Sequence, residues 1–357
     1  MKKHNFSAGP CILPQEVLEK ASKAVVNFNN LDLSLIEISH RSADFVAVMD
    51  KATSLVLELL DLKEKGYTAL FLQGGASLEF LMVPYNLMKE NGKAAYLDTG
   101  VWSAKALKEA KLLGGVDVVA SSKDKNYNYI PKNYNIASDV DYFHCTSNNT
   151  IYGTQIKEFP KTDGLLVCDM SSDIFSRKLD FSQFDLIYAG AQKNMGPAGA
   201  TLVVVKNEIL GKTGRQIPSM LDYQIHISKE SMFNTPPVFA VYVSMLTLEW
   251  LKEKGGLDAI EKLNNAKAEL LYNEIDNNPL FEGAAVKEDR SNMNVTFLLK
   301  DESKKEKFDQ LWKDAGISGI NGHRSVGGYR ASIYNAMPMK GVETLVDFMN
   351  YFETNNG

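Results

Sequence analysis

The sequence predicts an α/β protein with a large N-terminal domain, built on a mainly parallel sheet, and a small C-terminal α+β domain. Short apolar runs alternate with stretches of helical periodicity up to Gly255, which is the pattern of parallel strands joined by helices. The runs at residues 165–168 and 186–191 are apolar without interruption, as expected of strands covered on both faces. Beyond Gly255-Gly256 the pattern changes, and we place the domain boundary there, with residues 1–256 in the large domain and 257–357 in the small one.

Each element of the large domain follows from its own periodicity. Apolar residues at helical spacing predict helices at residues 14–28, 44–60, 77–88 and 103–113. Short apolar runs predict strands at residues 68–72, 94–98, 116–120, 142–146, 165–168, 186–191 and 200–205. A long amphipathic helix then opens at Pro236-Pro237 and runs to about Lys254, with Thr235 as its N-cap and proline in its first turn.

The small domain is predicted to alternate helices with two strands. The helices cover residues 257–277, 304–315 and 342–353, and the strands cover residues 294–299 and 329–334. A unit of this length is normal for an independent domain, and residues 1–15 could pack on it. The junction between two such domains is a favoured place for a ligand site.

Composition excludes several classes of function. The 357-residue chain carries a net charge of -5, which gives it no general attraction for nucleic acid or acidic membrane, so anionic substrates must be captured by local arginines. Cys11, Cys145 and Cys168 lack disulfide or metal-site spacing, and the histidines likewise suggest no metal. With no apolar run near membrane-spanning length and no signal-peptide pattern, we expect a cytoplasmic enzyme with reduced thiols.

The most informative pair of residues is Asp169 and Lys193. Asp169 ends one apolar run and Lys193 follows the next, so both should lie at the carboxyl edge of the sheet, where open α/β sheets bind ligands. Pyridoxal phosphate chemistry needs this pair, because a lysine forms the Schiff base and an anion keeps the pyridine nitrogen protonated. The alternative is an interstrand salt bridge. The turn at residues 196–199 is rigid and has only small side chains, so a bound group could come close to Lys193. This favours a ligand site over a salt bridge.

Two further segments suit the same cofactor. Residues 73–77, with Gly74-Gly75, lie between a strand and a helix, so free N–H groups at the helix start could bind a phosphate, although a simple loop is the alternative. Trp102 follows the strand at 94–98 and could stack on a flat ring, although a core tryptophan would look the same. No nucleotide triphosphate loop, serine-hydrolase elbow or zinc motif is present.

Two basic clusters complete the candidate site. His40 and Arg41 follow Ser39 near the start, and the small domain carries His323, Arg324 and Arg330 in a glycine-rich segment. Exposed arginines often only solvate a surface. Here each cluster combines arginine with a neighbouring histidine, which suits bidentate capture of carboxylate or phosphate.

Taken together, these motifs resemble the phosphoserine aminotransferases, a family of fold-type I pyridoxal phosphate enzymes. The resemblance covers essentially the whole chain. Its most specific parts are the A-G-A-Q-K-N-M-G-P-A-G run at residues 189–199 and the F-N-T-P-P run at 233–237, supported by residues 5–10, 39–41, 74–77, 322–324 and 330–338. The resemblance implies a seven-stranded sheet, pyridoxal phosphate as cofactor and a homodimer.

The resemblance also implies roles for individual residues. Lys193 would form the internal aldimine, Asp169 would pair with the pyridinium nitrogen, and Asn234 and Thr235 would reach the phosphate of the neighbouring subunit's cofactor. The remaining cofactor-binding residues would be Ala76, Ser77, Trp102, Thr150 and Gln192. The substrate-binding residues would be Ser7, His40, Arg41, His323, Arg324 and Arg330. Arg330 would bind the α-carboxylate, the two histidines and the other two arginines would receive the distal anion, and Ser7 would lie near the substrate. Some members carry arginine where Ser77 stands, so that side-chain contact is absent here.

The activity that the resemblance implies is transamination between L-glutamate and 3-phosphohydroxypyruvate, giving 2-oxoglutarate and O-phospho-L-serine in serine biosynthesis. Activity on 3-hydroxy-2-oxo-4-phosphonooxybutanoate, which would give 4-phosphohydroxy-L-threonine in pyridoxine biosynthesis, is also expected. Protonated histidines should make phosphate binding weaken as pH rises above about 7. The alternatives are a cysteine desulfurase, an aminotransferase of unphosphorylated substrates and a non-catalytic pyridoxal phosphate-binding protein.

Overall fold

The computed structural model describes residues 3–356 as a layered α/β structure. Its α-helices are α1 Gln15–Val26, α2 Ala43–Leu59, α3 Gly75–Leu87, α4 Val101–Ala110, α5 Tyr223–Ser228, α6 Val238–Glu253, α7 Gly256–Asn277, α8 Lys305–Asp314 and α9 Met339–Asn356. Its first seven strands are β1 His4–Asn5, β2 Tyr67–Leu72, β3 Lys93–Asp98, β4 Gly115–Ser121, β5 Tyr142–Thr146, β6 Asn148–Asn149 and β7 Thr154–Gln155. The others are β8 Leu165–Asp169, β9 Leu186–Gly190, β10 Thr201–Lys206, β11 Phe281–Gly283, β12 Asn294–Leu299, β13 Ile317–Ser318 and β14 Tyr329–Ser332.

The central sheet has seven strands in the order β2-β10-β9-β8-β5-β3-β4. Every neighbouring pair is parallel except those made by β10, which runs antiparallel to both β2 and β9. The predicted fold class, a mainly parallel sheet of seven strands with further α and β elements, is therefore confirmed.

Apolar side chains fill both faces of this sheet, which is why its strands read as continuous apolar runs. Phe71, Phe143 and Ile187 belong to the core on the face covered by α1, α2 and α6. Val167 and Tyr188 belong to the core on the opposite face, where α3 and α4 pack. Burial on both faces holds the strands in one register, and the ends of the strands then position the site residues.

The C-terminal part of the chain forms a second sheet with its own core. Strands β11, β12 and β14 are antiparallel, and α7 and α9 pack together beside them. Strand β1 pairs in parallel with β13, and Phe6, which is fully buried, joins this second core. Helix α7 contributes Ile260 to the large core but Ala268 to the small one. The division into domains at residues 256 and 257 stays a prediction.

One predicted helix start was wrong. Helix α6 begins at Val238, after Pro237, and no side chain caps its first turn. Thr235 is therefore not the N-cap, and Pro236-Pro237 precede the helix instead of lying inside it. The residue before a proline is restricted to extended backbone, so consecutive prolines delay the helix start. Helix α7 starts directly after Gly255, whose φ of 99° is the left-handed conformation that ends α6.

Candidate functional site

The site begins at the carboxyl edge of the central sheet. Strand β8 ends at Asp169, which lies in register between Thr146 on β5 and Tyr188 on β9. Strand β9 ends at Gly190, and Lys193 follows three residues later. Because these strands are parallel, their carboxyl ends meet at one edge, and the carboxylate and the amine reach the same place.

The amine of Lys193 contacts two other predicted site residues. Its Nζ donates a hydrogen bond to Oγ1 of Thr150 at 2.9 Å and lies 5.6 Å from the centroid of the Trp102 ring. Trp102 occupies the first turn of α4, directly after β3, so a third strand end contributes to the site. The structure thus brings Lys193, Thr150 and Trp102 together.

Burial shifts the pKa of both charged groups. Burial raises the pKa of Asp169, and the Lys193 ammonium and the Ser171 amide, which donates to Oδ1 at 2.9 Å, oppose that change. Burial likewise lowers the pKa of Lys193, an effect that Asp169 opposes and the Arg330 guanidinium reinforces. A lysine with a lowered pKa is more often the free amine that attacks a carbonyl carbon.

Arg330 joins the small sheet to this site. It lies on β14, and its Nη1 donates to the backbone carbonyl of Thr150 at 3.2 Å. Its Nε is buried and has no hydrogen-bond partner within residues 3–356. A buried donor of this kind favours an acceptor such as a carboxylate, since burial without a partner is costly.

The start of α3 leaves space for an anion. Gly74 and Gly75 have φ of 94° and 67°, and a side chain at Gly75 would meet no atom within 4 Å. Ala76 and Ser77 follow in the first helical turn, where N–H groups lack intrahelical partners and the helix dipole favours negative charge. The space and the free donors fit the phosphate of a cofactor.

An unpredicted contact brings the F-N-T-P-P segment to the same helix start. Nε2 of Gln73 donates to the backbone carbonyl of Thr235 at 2.6 Å. Thr235 and Asn234 are exposed, and their side chains make no hydrogen bond within the described part of the chain. These two side chains are therefore free to bind a group outside this chain.

The N-terminal segment lies against the Lys193 turn. The backbone N–H of Cys11 donates to the carbonyl of Gln192 at 3.1 Å, and the Cys11 thiol donates to the carbonyl of Lys193. A side chain at Gly9 would lie 3.3 Å from Cγ of Lys193, so this glycine allows the close approach. Sequence reasoning missed the role of Cys11, because nothing in its local pattern connects it with residue 193. Ser7 lies against Gly319, which follows strand β13 in the C-terminal part of the chain.

The two basic clusters differ in their surroundings. Nδ1 of His323 contacts the Ser325 hydroxyl at 2.8 Å, and Arg324 is exposed. Nε2 of His40 is buried without a hydrogen-bond partner, and Arg41 is exposed. Within residues 3–356, no hydrogen bond or ion pair joins His40 or Arg41 to the residues around Lys193.

The surroundings of His323 bear on the expected pH dependence of phosphate binding. Burial lowers the pKa of His323 below its usual 6.5, and the neighbouring Arg330, Arg324 and Lys105 lower it further. The imidazole of the free enzyme is therefore harder to protonate than an ordinary histidine. Any weakening of phosphate binding that depends on His323 should begin at lower pH than about 7.

The described residues contain neither a metal-binding cluster nor a membrane-spanning helix. Across residues 3–356, no three His, Cys, Asp or Glu side chains are arranged to hold a metal ion. Within the same residues, no helix has both the length and the apolar character needed to cross a membrane.

The residues present fit pyridoxal phosphate. Oδ2 of Asp169 accepts no hydrogen bond within residues 3–356, so it can accept one from a protonated ring nitrogen. Lys193 supplies an amine of lowered pKa, Trp102 an aromatic face, and the first turn of α3 an anion cradle.

Known proteins of one kind are similar to this chain throughout its length. The sequence profile of the class-V aminotransferases matches residues 3–345. The phosphoserine aminotransferase of Flavobacterium johnsoniae is 74% identical over 354 residues, covering 99% of each chain. A solved phosphoserine aminotransferase from Bacillus circulans subsp. alkalophilus has a TM-score of 0.96 and 44% identity, covering 100% of this chain and 99% of that one. A pyridoxal phosphate-bound phosphoserine aminotransferase from Trichomonas vaginalis has a TM-score of 0.93 and 37% identity, covering 98% and 100%.

Proposed function

This chain belongs to the phosphoserine aminotransferases of the class-V aminotransferase family, and on that basis we propose that it transfers the amino group of L-glutamate to 3-phosphohydroxypyruvate. The products are 2-oxoglutarate and O-phospho-L-serine. Pyridoxal phosphate is the cofactor. The observation that carries the proposal is the placement of Asp169 and Lys193 at the ends of adjacent parallel strands, with Arg330 reaching Thr150 beside them.

We propose that the residues around Lys193 hold the cofactor and move protons. When bound, the cofactor supplies an electron sink for the bonds at the substrate's Cα. The Asp169 carboxylate would keep its ring nitrogen protonated, and Lys193 would bind it covalently. The freed amine of Lys193 would then take the proton from Cα of the amino acid, acting as general base, and deliver it to the C4′ position of the cofactor, acting as general acid. Further contacts would come from Trp102, Thr150, Ala76, Ser77 and Gln192.

Arg330 is the proposed partner of the α-carboxylate, which both substrates share. Its buried Nε, without a partner, and its Nη1 bond to Thr150 support this role. The distal carboxylate or phosphate would be received by the four residues His40, Arg41, His323 and Arg324. Ser7, which lies against Gly319, would contact the substrate nearby.

We further propose a homodimer in which Asn234 and Thr235 bind the phosphate of the neighbouring subunit's cofactor. Their exposed side chains, free of hydrogen bonds within residues 3–356, support this assignment. Hybrid dimers test it. Homodimers of Lys193→Ala and of Asn234→Asp should each be inactive, whereas a hybrid of the two subunits should combine both defects in one site and leave the other site intact. Hybrids without recovered activity, despite wild-type mass by sedimentation, would contradict the shared site.

The proposed setting is serine biosynthesis, with a second reaction on 3-hydroxy-2-oxo-4-phosphonooxybutanoate in pyridoxine biosynthesis. That reaction would give 4-phosphohydroxy-L-threonine, whose phosphate would use the same distal residues. The cytoplasm is the proposed compartment, because Cys11, Cys145 and Cys168 are free thiols, as expected in a reducing environment.

One set of assays tests the proposed activity against its rivals. The holoenzyme is incubated with glutamate and 3-phosphohydroxypyruvate, with glutamate and pyruvate, and with cysteine alone. We expect efficient turnover only in the first. Faster turnover with pyruvate would indicate an aminotransferase of unphosphorylated substrates. Release of sulfide from cysteine would indicate a desulfurase, and absence of turnover in all three mixtures would indicate a non-catalytic protein.

A further inference from the structure

Lys105 is a cation beside the site to which neither the motifs nor the proposed mechanism gives a role. It lies on α4 one turn after Trp102, and its Nζ is 4.6 Å from the centroid of the Trp102 ring. An ammonium at this distance is attracted by the face of the ring, which limits where a flexible side chain can point. The lysine is thus directed to the same ring that Lys193 approaches at 5.6 Å.

The loop that carries His323 and Arg324 packs on the same apolar cluster as Trp102. Val326 and Trp102 both pack against the buried residues Tyr127, Ile151 and Tyr152. The carbonyl of Ser325 accepts a hydrogen bond from Nδ2 of Asn126 at 3.1 Å. This packing places the loop beside the start of α4, and Lys105 lies near enough to His323 to contribute to the lowered pKa of that histidine.

The positive charges in this region have no carboxylate partners. Within residues 3–356, no ion pair is formed by Lys105, Arg324 or Arg330, although the chain as a whole is acidic. Like charges that converge without counter-charges repel one another, and a bound anion relieves that repulsion. The cluster is therefore arranged for a strongly charged anion.

We propose that Lys105 is a further substrate-binding residue, whose ammonium contacts the distal phosphate of the keto acid together with His323 and Arg324. This assignment deepens the proposed function and rests on it. An ammonium acts as a point charge, so it should favour phosphate, with charge near -2 and three acceptor oxygens, over the single negative charge of the glutamate side chain. Lys105 thereby contributes to the preference for a phosphorylated substrate.

Helix α4 offers a matched control. Lys108 is also exposed and lies three residues further along the same helix, but no aromatic ring holds its ammonium within the described residues. Lys108→Met therefore removes the same charge from the same helix without touching the cluster. Lys105→Arg keeps the positive charge. It therefore separates the effect of losing the charge from other effects of replacing the lysine.

Steady-state kinetics give the first test. Losing a hydrogen bond to a charged group should raise the KM for 3-phosphohydroxypyruvate about tenfold in Lys105→Met, while kcat and the KM for glutamate change much less. Lys105→Arg should recover most of the loss, and Lys108→Met should behave as wild type. Equal losses on both substrates, or a loss no larger than that of Lys108→Met, would overturn the proposal.

A binding measurement gives a second readout that needs no turnover. Inorganic phosphate is titrated into the holoenzyme while the imidazole signal of His323 is followed by NMR and assigned with His323→Asn. Lys105→Met should raise the pKa of His323 and weaken phosphate binding. If the wild-type enzyme did not turn over the phosphorylated keto acid, the proposed activity would be wrong. The titration would still show whether Lys105 contributes to phosphate binding. Normal turnover with unchanged phosphate binding in Lys105→Met would sink the Lys105 assignment alone.

Discussion

The backbone N–H of Asn335 donates to Oδ1 of Asn194 at 2.9 Å, which joins the segment after the Arg330 strand to the residue next to Lys193. Both asparagines are buried. Nδ2 of Asn194 in turn donates to the carbonyl of Ile174 at 2.6 Å. The loop after Lys193 is therefore fixed relative to the segment after the Arg330 strand. The side chains of Lys193 and Arg330 take no part in these hydrogen bonds.

Asn194→Ala should destabilise the protein and loosen Arg330. The substitution leaves the buried N–H of Asn335 without an acceptor, which should lower the free energy of unfolding by about 1–3 kcal/mol. Because Arg330 is the proposed carboxylate partner, the KM for both substrates should rise. Urea unfolding and steady-state kinetics check this. Asn277→Ala, at an exposed position whose amide bonds only within α7, is the control, and equal effects of the two would contradict the argument.

Lys193→Ala should abolish turnover and the absorbance of lysine-bound cofactor. The amine is the proposed covalent attachment point and proton carrier, and no other lysine bonds Thr150 within residues 3–356. Absorption spectra and transamination assays measure the two losses. Lys105→Ala serves as a comparison at the same tryptophan and should keep the absorbance. Normal turnover by Lys193→Ala would disprove the mechanism.

Arg324→Ala should discriminate between phosphorylated and unphosphorylated keto acids. Removing an arginine from an anion site typically costs about 2–5 kcal/mol, so use of 3-phosphohydroxypyruvate should fall at least tenfold. Hydroxypyruvate, which lacks the phosphate, should be used about as poorly as by wild type. Comparison of kcat/KM for the two keto acids decides the matter. Equal losses would mean that Arg324 supports the fold or the shared carboxylate.

Glu79→Gln should change how stability depends on pH. Glu79 is fully buried, accepts a hydrogen bond from the Tyr223 hydroxyl, and leaves Oε1 without a partner within the described residues. Burial raises the pKa of Glu79 from 4.5 to about 8. The native state therefore binds more protons than the unfolded state between these values, so this group's contribution to stability is lost as pH rises from 4.5 to 8.

The glutamine side chain stays uncharged over that range. We expect Glu79→Gln to have nearly wild-type stability at pH 5 and to be more stable than wild type at pH 8.5, as measured by denaturant unfolding. Glu90→Gln, at an exposed position, should show no such crossover. A difference between Glu79→Gln and wild type that is constant with pH would refute a protonated Glu79.

The sequence predicted those parts of the site that lie where a buried strand ends. Asp169 and Lys193 were found because continuous apolar runs mark strands covered on both faces, and the carboxyl ends of such strands share an edge. Residues placed by long-range contacts carried no such signal. Cys11 meets Lys193, and Asn335 meets Asn194, only after the N-terminal segment and the small sheet have packed.

Short elements escaped prediction for a related reason. Strands β1 and β13 have two residues each, which is too few for an alternating pattern, and they form only because each pairs with the other across the chain. The start of α6 was placed too early because proline is common in the first turn of a helix, whereas here the two prolines precede it. A local sequence pattern predicts whether a segment is a helix or a strand more reliably than it predicts the residues at which the element begins and ends.

The pairing of β1 with β13 orders events during synthesis of the chain. His4 and Asn5 leave the ribosome long before their partners, Ile317 and Ser318, are added. Phe6 likewise finds its buried place only in the late-made core. Since domains generally fold as they emerge, the central sheet can form while the N-terminal segment still waits for its partner strand. Strand β1 thus stays unpaired while the whole central sheet is made, and its pairing belongs to the later steps of folding.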